Sequence, residues 1–86
     1  METYRFIIVG NVHELQLIEK AIDTNFRRYY RATLKRETSG IDSVTFSVEL
    51  RLMWSESFEK ILQCALYRGL KNTDIFNSSN WFIDTL

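Results

Sequence analysis

Residues 44–52 (Val-Thr-Phe-Ser-Val-Glu-Leu-Arg-Leu) alternate strictly between apolar and polar side chains. Because a β-strand directs successive side chains to opposite faces, the pattern predicts one antiparallel strand of a sheet that is open on one side. The apolar residues are the candidate core: Val44, Phe46, Val48, Leu50 and Leu52. The polar residues are predicted to face water or a partner: Thr45, Ser47, Glu49 and Arg51.

Three other segments have the alternation or the apolar content of strands: residues 4–9, 30–37 and 81–86. Turn residues at 37–42, with Gly40 among them, predict a hairpin that leads into the strand 44–52. Residues 72–80 are predicted to form a polar loop or a short helix.

Two segments carry apolar residues at helical spacing. The first begins after Asn11, a residue type suited to the N-cap, and is predicted to end within residues 25–28. The second begins after Ser55 or Ser57 and ends near Leu70.

The order strand, helix, strand, strand, helix, strand is that of the ferredoxin-like α+β fold, a split βαβ arrangement (βαββαβ). We therefore expect residues 1–86 to form a single domain, with a four-stranded antiparallel sheet and two helices on one face. If Phe6 and Ile8 enter the core, the other apolar pair of the first strand lies bare on the open face. That pair is Ile7 and Val9, and the opposite register would expose the opposite set.

Composition narrows the class of protein. Eleven Lys and Arg balance eleven Asp and Glu, so the overall charge favours neither nucleic acid nor a basic partner. A single cysteine, Cys64, excludes an intramolecular disulfide, which fits a reducing cytoplasm. There is no apolar run of about 18 residues and no signal-peptide pattern. We expect a cytoplasmic protein that contacts no membrane and holds no metal or cofactor.

The residues with catalytic potential are isolated in the sequence. His13 lies in the first turn of the first predicted helix, where its neighbour in the chain does not face it. Cys64 lies among apolar residues of the second helix and is expected to be buried and unreactive. The glycines form no phosphate-binding loop, since they stand apart at Gly10, Gly40 and Gly69. We therefore predict a protein that is not an enzyme and has no catalytic residues.

Residues 27–36 (Arg-Arg-Tyr-Tyr-Arg-Ala-Thr-Leu-Lys-Arg) contain five cations, two tyrosines and no acid. Cations for phosphate and rings for stacking are what single-stranded nucleic acid requires. The candidate contacts for this alternative are Arg27, Arg28, Tyr30, Arg31, Lys35 and Arg36. On a strand over 30–37, Arg31 and Lys35 point to the open face of the sheet. The same charges also suit a solvated edge strand or an acidic protein surface.

Residues 7–12 (Ile-Ile-Val-Gly-Asn-Val) resemble the first-strand signature of the RNA-recognition-motif family, apolar-aromatic-apolar-x-Asn-apolar. That family has the topology predicted here. Ile8 stands where the family carries a stacking aromatic residue, and Phe46 falls on the buried side of its strand. The resemblance therefore implies a shared topology and not membership of the family.

The open face of the sheet and the basic edge strand are the preferred candidate surfaces. Trp81 and Phe82 are neighbours on the last strand, so one is predicted to enter the core and the other to lie on the open face. The candidate partner-binding residues are Arg31, Lys35, Arg51, Tyr29, Ile7, Trp81 and Phe82. We expect a non-enzymatic protein-binding module whose partner is another protein, one with an acidic surface for example, or a second copy in a homodimer. Its size alone suggests the class of phage or mobile-element inhibitors of host proteins.

A ligand-sensing regulatory dimer is a further alternative. In that case a small molecule binds where the sheets of two subunits pair. Gly10 and Asn11, at the N-terminus of the first helix, are the natural contacts for an anionic group.

Overall fold

A computed structural model describes residues 1–86, and its elements follow the predicted order. The strands are β1 (Glu2–Val9), β2 (Lys35–Ser39), β3 (Ser43–Leu50) and β4 (Phe82–Thr85). The helices are α1 (Val12–Tyr30) and α2 (Phe58–Leu70), with a short 3₁₀ helix at Asp74–Asn77. The strands are ordered β2-β3-β1-β4 and every neighbouring pair is antiparallel, which confirms the ferredoxin-like α+β fold.

The core lies between the sheet and the two helices, and β1 and β3 supply its centre. Phe6 and Ile8 are fully buried. Phe46 of β3 is the Cα partner of Phe6, and their rings stack with centroids 5.5 Å apart. The alternation of β3 is confirmed as far as Leu50, where the strand ends, while Leu52 lies beyond it and is half-buried.

Two polar residues of β3, predicted to face water or a partner, lie on the predicted face but are largely shielded from water. Thr45 and Ser47 are only 8% and 5% exposed, although they lie on the face opposite the core. Arg5 of β1 and Lys35 of β2 are both Cα partners of Ser47. Since β3 is an inner strand, its small side chains lie beneath the longer side chains of the strands on either side.

The first helix begins at a capping box and runs past its predicted end. Asn11 Oδ1 accepts a hydrogen bond from the Glu14 backbone N–H (2.8 Å), and Glu14 Oε1 accepts one from the Asn11 backbone N–H (3.0 Å). The helix continues to Tyr30 because Phe26 and Tyr30, one turn apart, pack edge to face with centroids 6.0 Å apart. Arg31 then takes the left-handed conformation of a C-cap, with φ 53°.

The prediction of a strand over residues 30–37 is therefore partly wrong. Pairing with β3 starts only at Lys35, and the preceding residues form the helix end, its cap and a loop. The apolar alternation at Ala32 and Leu34 arises because these loop side chains pack against the core. A bulge between Arg36 and Thr38 then interrupts the pairing of β2.

The second helix matches its predicted stripe. Ser57 is the N-cap, and its Oγ accepts from the Lys60 backbone N–H (3.3 Å). All six predicted core residues are buried: Phe58, Ile61, Leu62, Ala65, Leu66 and Leu70. The prediction for Cys64 is wrong, because this residue lies outside that stripe and is exposed.

The two helices touch at Gly69 and Ala21. A Cβ atom added to Gly69 would overlap the Cβ atom of Ala21, so glycine is what permits this helix spacing. Neither helix is long and apolar enough to span a membrane.

Candidate functional site

The face of the sheet opposite the helices carries an apolar strip. Phe82 and Asp84 of β4 are the Cα partners of Val9 and Ile7 of β1. Because residues between them, such as Ile83, face the core, these four side chains share the open face. Ile7 and Val9 are half-buried and Phe82 is 57% exposed. We call Ile7, Val9 and Phe82 the apolar strip.

Trp81 and Phe82 point to opposite sides of the sheet, as predicted, although β4 begins only at Phe82. Trp81 is half-buried against the core, and its Nε1 donates a hydrogen bond to the Ile75 carbonyl oxygen (2.7 Å). The indole therefore fixes the 3₁₀ helix to the end of the sheet. Phe82 is left as the aromatic residue of the open face.

The other half of the open face is polar and contains an ion pair. Arg5 Nε donates to Glu37 Oε1 at 2.7 Å, which joins β1 to β2 across β3. Glu37 lies two residues after Lys35, at the bulge of β2. Charged side chains and a bulge are common protections of an edge strand against pairing with other chains.

Three predicted contact residues come together, although they do not share a strand. Arg31 caps α1, Lys35 opens β2 and Arg51 follows the end of β3. They line a cleft of about 640 Å³ between the loop after α1 and the end of β3. The placement of Arg31 and Arg51 on strands is wrong, but the C-cap and the loop bring them to the same region. Glu37 and Glu49 line this cleft as well, so its charge is mixed.

Two other cations of the basic stretch are paired with acids. Arg27 Nε donates to Asp23 Oδ2 one turn earlier on α1 (2.9 Å). Arg36 lies on the other face of β2 from Lys35 and pairs with Glu19 of α1. The cations of this stretch therefore lie at a helix end, at its cap and on both faces of β2. They do not form one continuous track for a phosphate backbone.

The tyrosines of the stretch point in different directions. Tyr29 is 52% exposed on the helical side, where the Arg68 guanidinium lies 4.6 Å from the centre of its ring. Tyr30 packs against the core, and its hydroxyl donates to Glu56 Oε2 (3.2 Å). Burial, with the Glu56 carboxylate beside it, raises the pKa of Tyr30 above its usual value. Arg68 lies over the Tyr29 ring and Tyr30 packs against the core, so the two rings do not form a common stacking surface for bases.

The N-terminus of α1, the expected anion contact of the ligand-sensing alternative, holds the chain's own carboxylate. Glu14 is 5% exposed, and its two oxygens accept from the Asn11 backbone N–H (3.0 Å) and Ser78 Oγ (3.4 Å). A Cβ atom on Gly10 would lie 3.0 Å from the Trp81 Cβ atom, so there is little room beside it. This arrangement disfavours an anionic ligand here. Sequence reasoning missed Glu14, although its position three residues after Asn11 is the mark of a capping box.

The side chains with catalytic potential stay apart in the structure. His13 and Cys64 are both exposed, on the first turn of α1 and on α2. No group of three or more His, Cys, Asp or Glu side chains lies close enough to hold a metal ion.

Comparison with known proteins gives no relative, since the chain matches no protein-family model, no curated protein and no solved structure. The resemblance of residues 7–12 to the RNA-recognition-motif family is limited to topology. Ile8 is fully buried and Phe46 is 1% exposed, so neither presents itself on the open face. The surfaces of the fold are therefore the features from which we infer a function.

Proposed function

We propose that this protein is a non-enzymatic, protein-binding module that docks through the open face of its sheet. The observation that carries the proposal is the apolar strip of Ile7, Val9 and Phe82. Phe82 is 57% exposed on a face that neither helix covers. Burial of apolar surface contributes about 25 cal/mol per Å², and aromatic side chains are frequent anchors of interfaces. A partner that covers this strip would gain that contribution.

The surroundings of the strip indicate the chemistry of the partner. Interfaces commonly have an apolar centre and a polar rim. Here the rim includes Asp84 beside Ile7 and the Arg5–Glu37 ion pair. Farther along lies the cleft with Arg31, Lys35 and Arg51, where three cations outnumber the two acids Glu37 and Glu49. This small excess of positive charge supports a partner whose surface has acidic groups next to an apolar patch. The partner is a second protein or a second copy of this chain. Inhibition of a host protein by a phage or mobile-element product is one form of this function.

Single-stranded nucleic acid has weaker support as the partner. Arg27 and Arg36 are paired with acids, and the two tyrosine rings lie in different places, Tyr29 beside Arg68 and Tyr30 against the core. Without aligned cations and free rings, phosphate contact and base stacking lack a common surface.

The test places a photo-crosslinking amino acid at Phe82 in the protein as expressed in cells. Tyr67 on α2 is the matched control site, since it is 55% exposed but lies on the helical side. We expect a protein to be captured from the Phe82 site and not from the Tyr67 site. The captured protein is then identified by mass spectrometry and purified.

Binding of the purified partner to two variants completes the test. Phe82→Asp is expected to weaken the complex by about tenfold or more, equal to at least about 1.4 kcal/mol, whereas Tyr67→Asp leaves affinity nearly unchanged. Thermal melts confirm that both variants are folded. Equal affinity of the two variants, or no capture at Phe82, would overturn the proposal. Light scattering distinguishes a second copy, because only in that case does the wild-type protein double its mass while Phe82→Asp stays monomeric.

A further inference from the structure

A second surface lies on the helical side, away from the apolar strip. There a cleft of about 490 Å³ separates α1 from the C-terminal end of α2 and the residues after it. We call it the interhelical cleft. Ala21 and Gly69, where the two helices touch, are among its lining residues. Small-molecule sites commonly measure about 300–1,000 Å³, so the volume admits a small ligand.

The charge of the interhelical cleft is of one sign. Four cationic side chains line it and no acidic side chain does: Lys20, Arg28, Arg68 and Lys71. None of the four is paired with a carboxylate, in a chain whose eleven basic and eleven acidic residues balance. The cleft is therefore a local concentration of positive charge, which attracts anions.

Stabilisation of the helix ends does not fully explain these cations. Cations in a last turn interact favourably with the helix dipole, which applies to Arg28 and Arg68. Lys20, however, lies in the middle of α1. At the end of α2, the Leu70 carbonyl oxygen already accepts from the Thr73 backbone N–H (2.9 Å) and from Thr73 Oγ1 (2.7 Å).

Two of the cations are held in place by a ring. The guanidinium carbons of Arg28 and Arg68 lie 5.6 and 4.6 Å from the centre of the Tyr29 ring. A guanidinium over an aromatic ring keeps N–H groups at its edge free, and these match the oxygens of a phosphate in a bidentate geometry. The ring therefore restricts the arginines before any ligand arrives.

A nearly buried amide lies in the same wall. Asn25 is 7% exposed and lines the interhelical cleft as well as a smaller cleft beside Tyr30 and Glu56. No polar side-chain atom of the chain that is sealed from solvent lacks a partner, so the Asn25 amide is not an orphaned buried group. It adds an uncharged hydrogen-bonding group to the wall between the two clefts.

We propose that the interhelical cleft binds a small anion that contains a diphosphate group. A phosphate group carries about 1.5–2 negative charges near neutral pH, so four cations match two such groups better than one. The arginine edges and the Asn25 amide donate hydrogen bonds to the phosphate oxygens, while Lys20 and Lys71 add charge. Since the cleft and the apolar strip lie on opposite sides, this site does not depend on the proposed protein-binding function.

Calorimetry with the purified protein tests the proposal at about 0.15 M salt, where weak surface attraction is screened. The probes are inorganic pyrophosphate, ADP and orthophosphate. We expect pyrophosphate or ADP to bind at one site, at least about tenfold more tightly than orthophosphate. Tighter binding of ADP identifies a nucleotide as the source of the diphosphate, and equal binding identifies the diphosphate group alone. Absence of binding for both probes would overturn the proposal.

Variants show whether the cleft is the site. Arg68→Gln and Lys71→Gln are each expected to weaken binding by about tenfold, because each removes a charge-assisted contact. The matched control is Arg27→Gln, since Arg27 is next to Arg28 in the chain but is paired with Asp23 and does not line the cleft. If Arg27→Gln weakens binding as much as Lys71→Gln does, the effect is one of net charge and the proposed site is wrong. Thermal melts check that the variants are folded. If Arg68→Gln does not fold, the comparison of Lys71→Gln with Arg27→Gln tests the site.

Discussion

The C-terminal half of β1 is apolar on both faces, and the two faces meet very different surroundings. On the helix-covered face, Phe6 and Ile8 are fully buried in the core. On the open face, Ile7 and Val9 are half-buried and lie next to the exposed Phe82. A strand that is apolar on both sides is typical of a sheet that is covered on both sides. The two helices of this chain cover one face of the sheet, so we expect folding to depend mainly on that face of β1 and the other face to be available for contact.

The largest predicted effect is the difference in stability lost when an apolar side chain is removed from one face of β1 or from the other. Ile8→Ala removes a fully buried side chain and is expected to lower the free energy of unfolding by about 2–5 kcal/mol. Ile7→Ala, one residue away on the half-buried side, is expected to cost about 1 kcal/mol or less. Chemical denaturation of both variants gives the comparison. If Ile8→Ala does not fold, Ile8→Val supplies a milder test with an expected loss of about 0.5–1.5 kcal/mol.

Equal losses in the two alanine variants would mean that the open face is as important to folding as the covered face. The apolar strip would then be a second core surface rather than a contact surface. That outcome would also weaken the proposed function.

The next effect concerns the close contact between α1 and α2 at Ala21 and Gly69. Gly69→Ala gains about 1 kcal/mol of helix propensity, but the added methyl group overlaps Ala21, and overpacking commonly costs about 1–3 kcal/mol. We expect a net loss of stability of up to about 2 kcal/mol in a denaturation experiment. The double variant Gly69→Ala with Ala21→Gly moves the methyl group to the other helix and is expected to recover part of the loss. A Gly69→Ala variant more stable than the wild type would show that the helices separate easily.

Periodicity predicted the covered face well because burial imposes it directly. The alternation in β3 and the helical stripe of α2 identify core positions such as Val48 and Leu66, both of which are buried. The same reasoning failed for residues 30–34. There a loop supplies Ala32 and Leu34 to the core, which imitates the alternation of a strand. A loop can point side chains inward at any spacing, so sequence periodicity alone does not reveal it.

The open side was harder to predict, since it depends on which strands lie next to each other. The register of β4 on β1 brings Phe82 beside Val9, and no local pattern contains that information. The interhelical cleft is a still longer-range feature. Lys20 and Lys71 are far apart in the sequence and line one cleft only because α1 and α2 pack together. Linear clustering favoured residues 27–36 instead, whose cations the structure disperses.

The smallest predicted effect is a pH dependence that originates on the covered side. Partial burial with the Glu2 carboxylate nearby raises the pKa of Tyr4, and burial with the Glu56 carboxylate raises that of Tyr30. An unfolded tyrosine has a pKa of about 10, so above that pH the unfolded state loses its protons first and the folded state becomes less stable.

Tyr30→Phe tests this prediction, since it removes one of the two titrating groups together with the hydrogen bond to Glu56. The variant is expected to be less stable than the wild type near neutral pH, yet to lose less stability between about pH 9 and pH 11. Denaturation at both pH values gives the loss of stability for the variant and for the wild type. Ile7→Ala on the open face is the control, and it is expected to show the same pH dependence of stability as the wild type. If Tyr30→Phe also keeps the full pH dependence of the wild type, folding does not raise the pKa of the Tyr30 hydroxyl. The alkaline sensitivity would then have to come from other groups, and the helix-covered face would differ from the open face in packing but not in electrostatics.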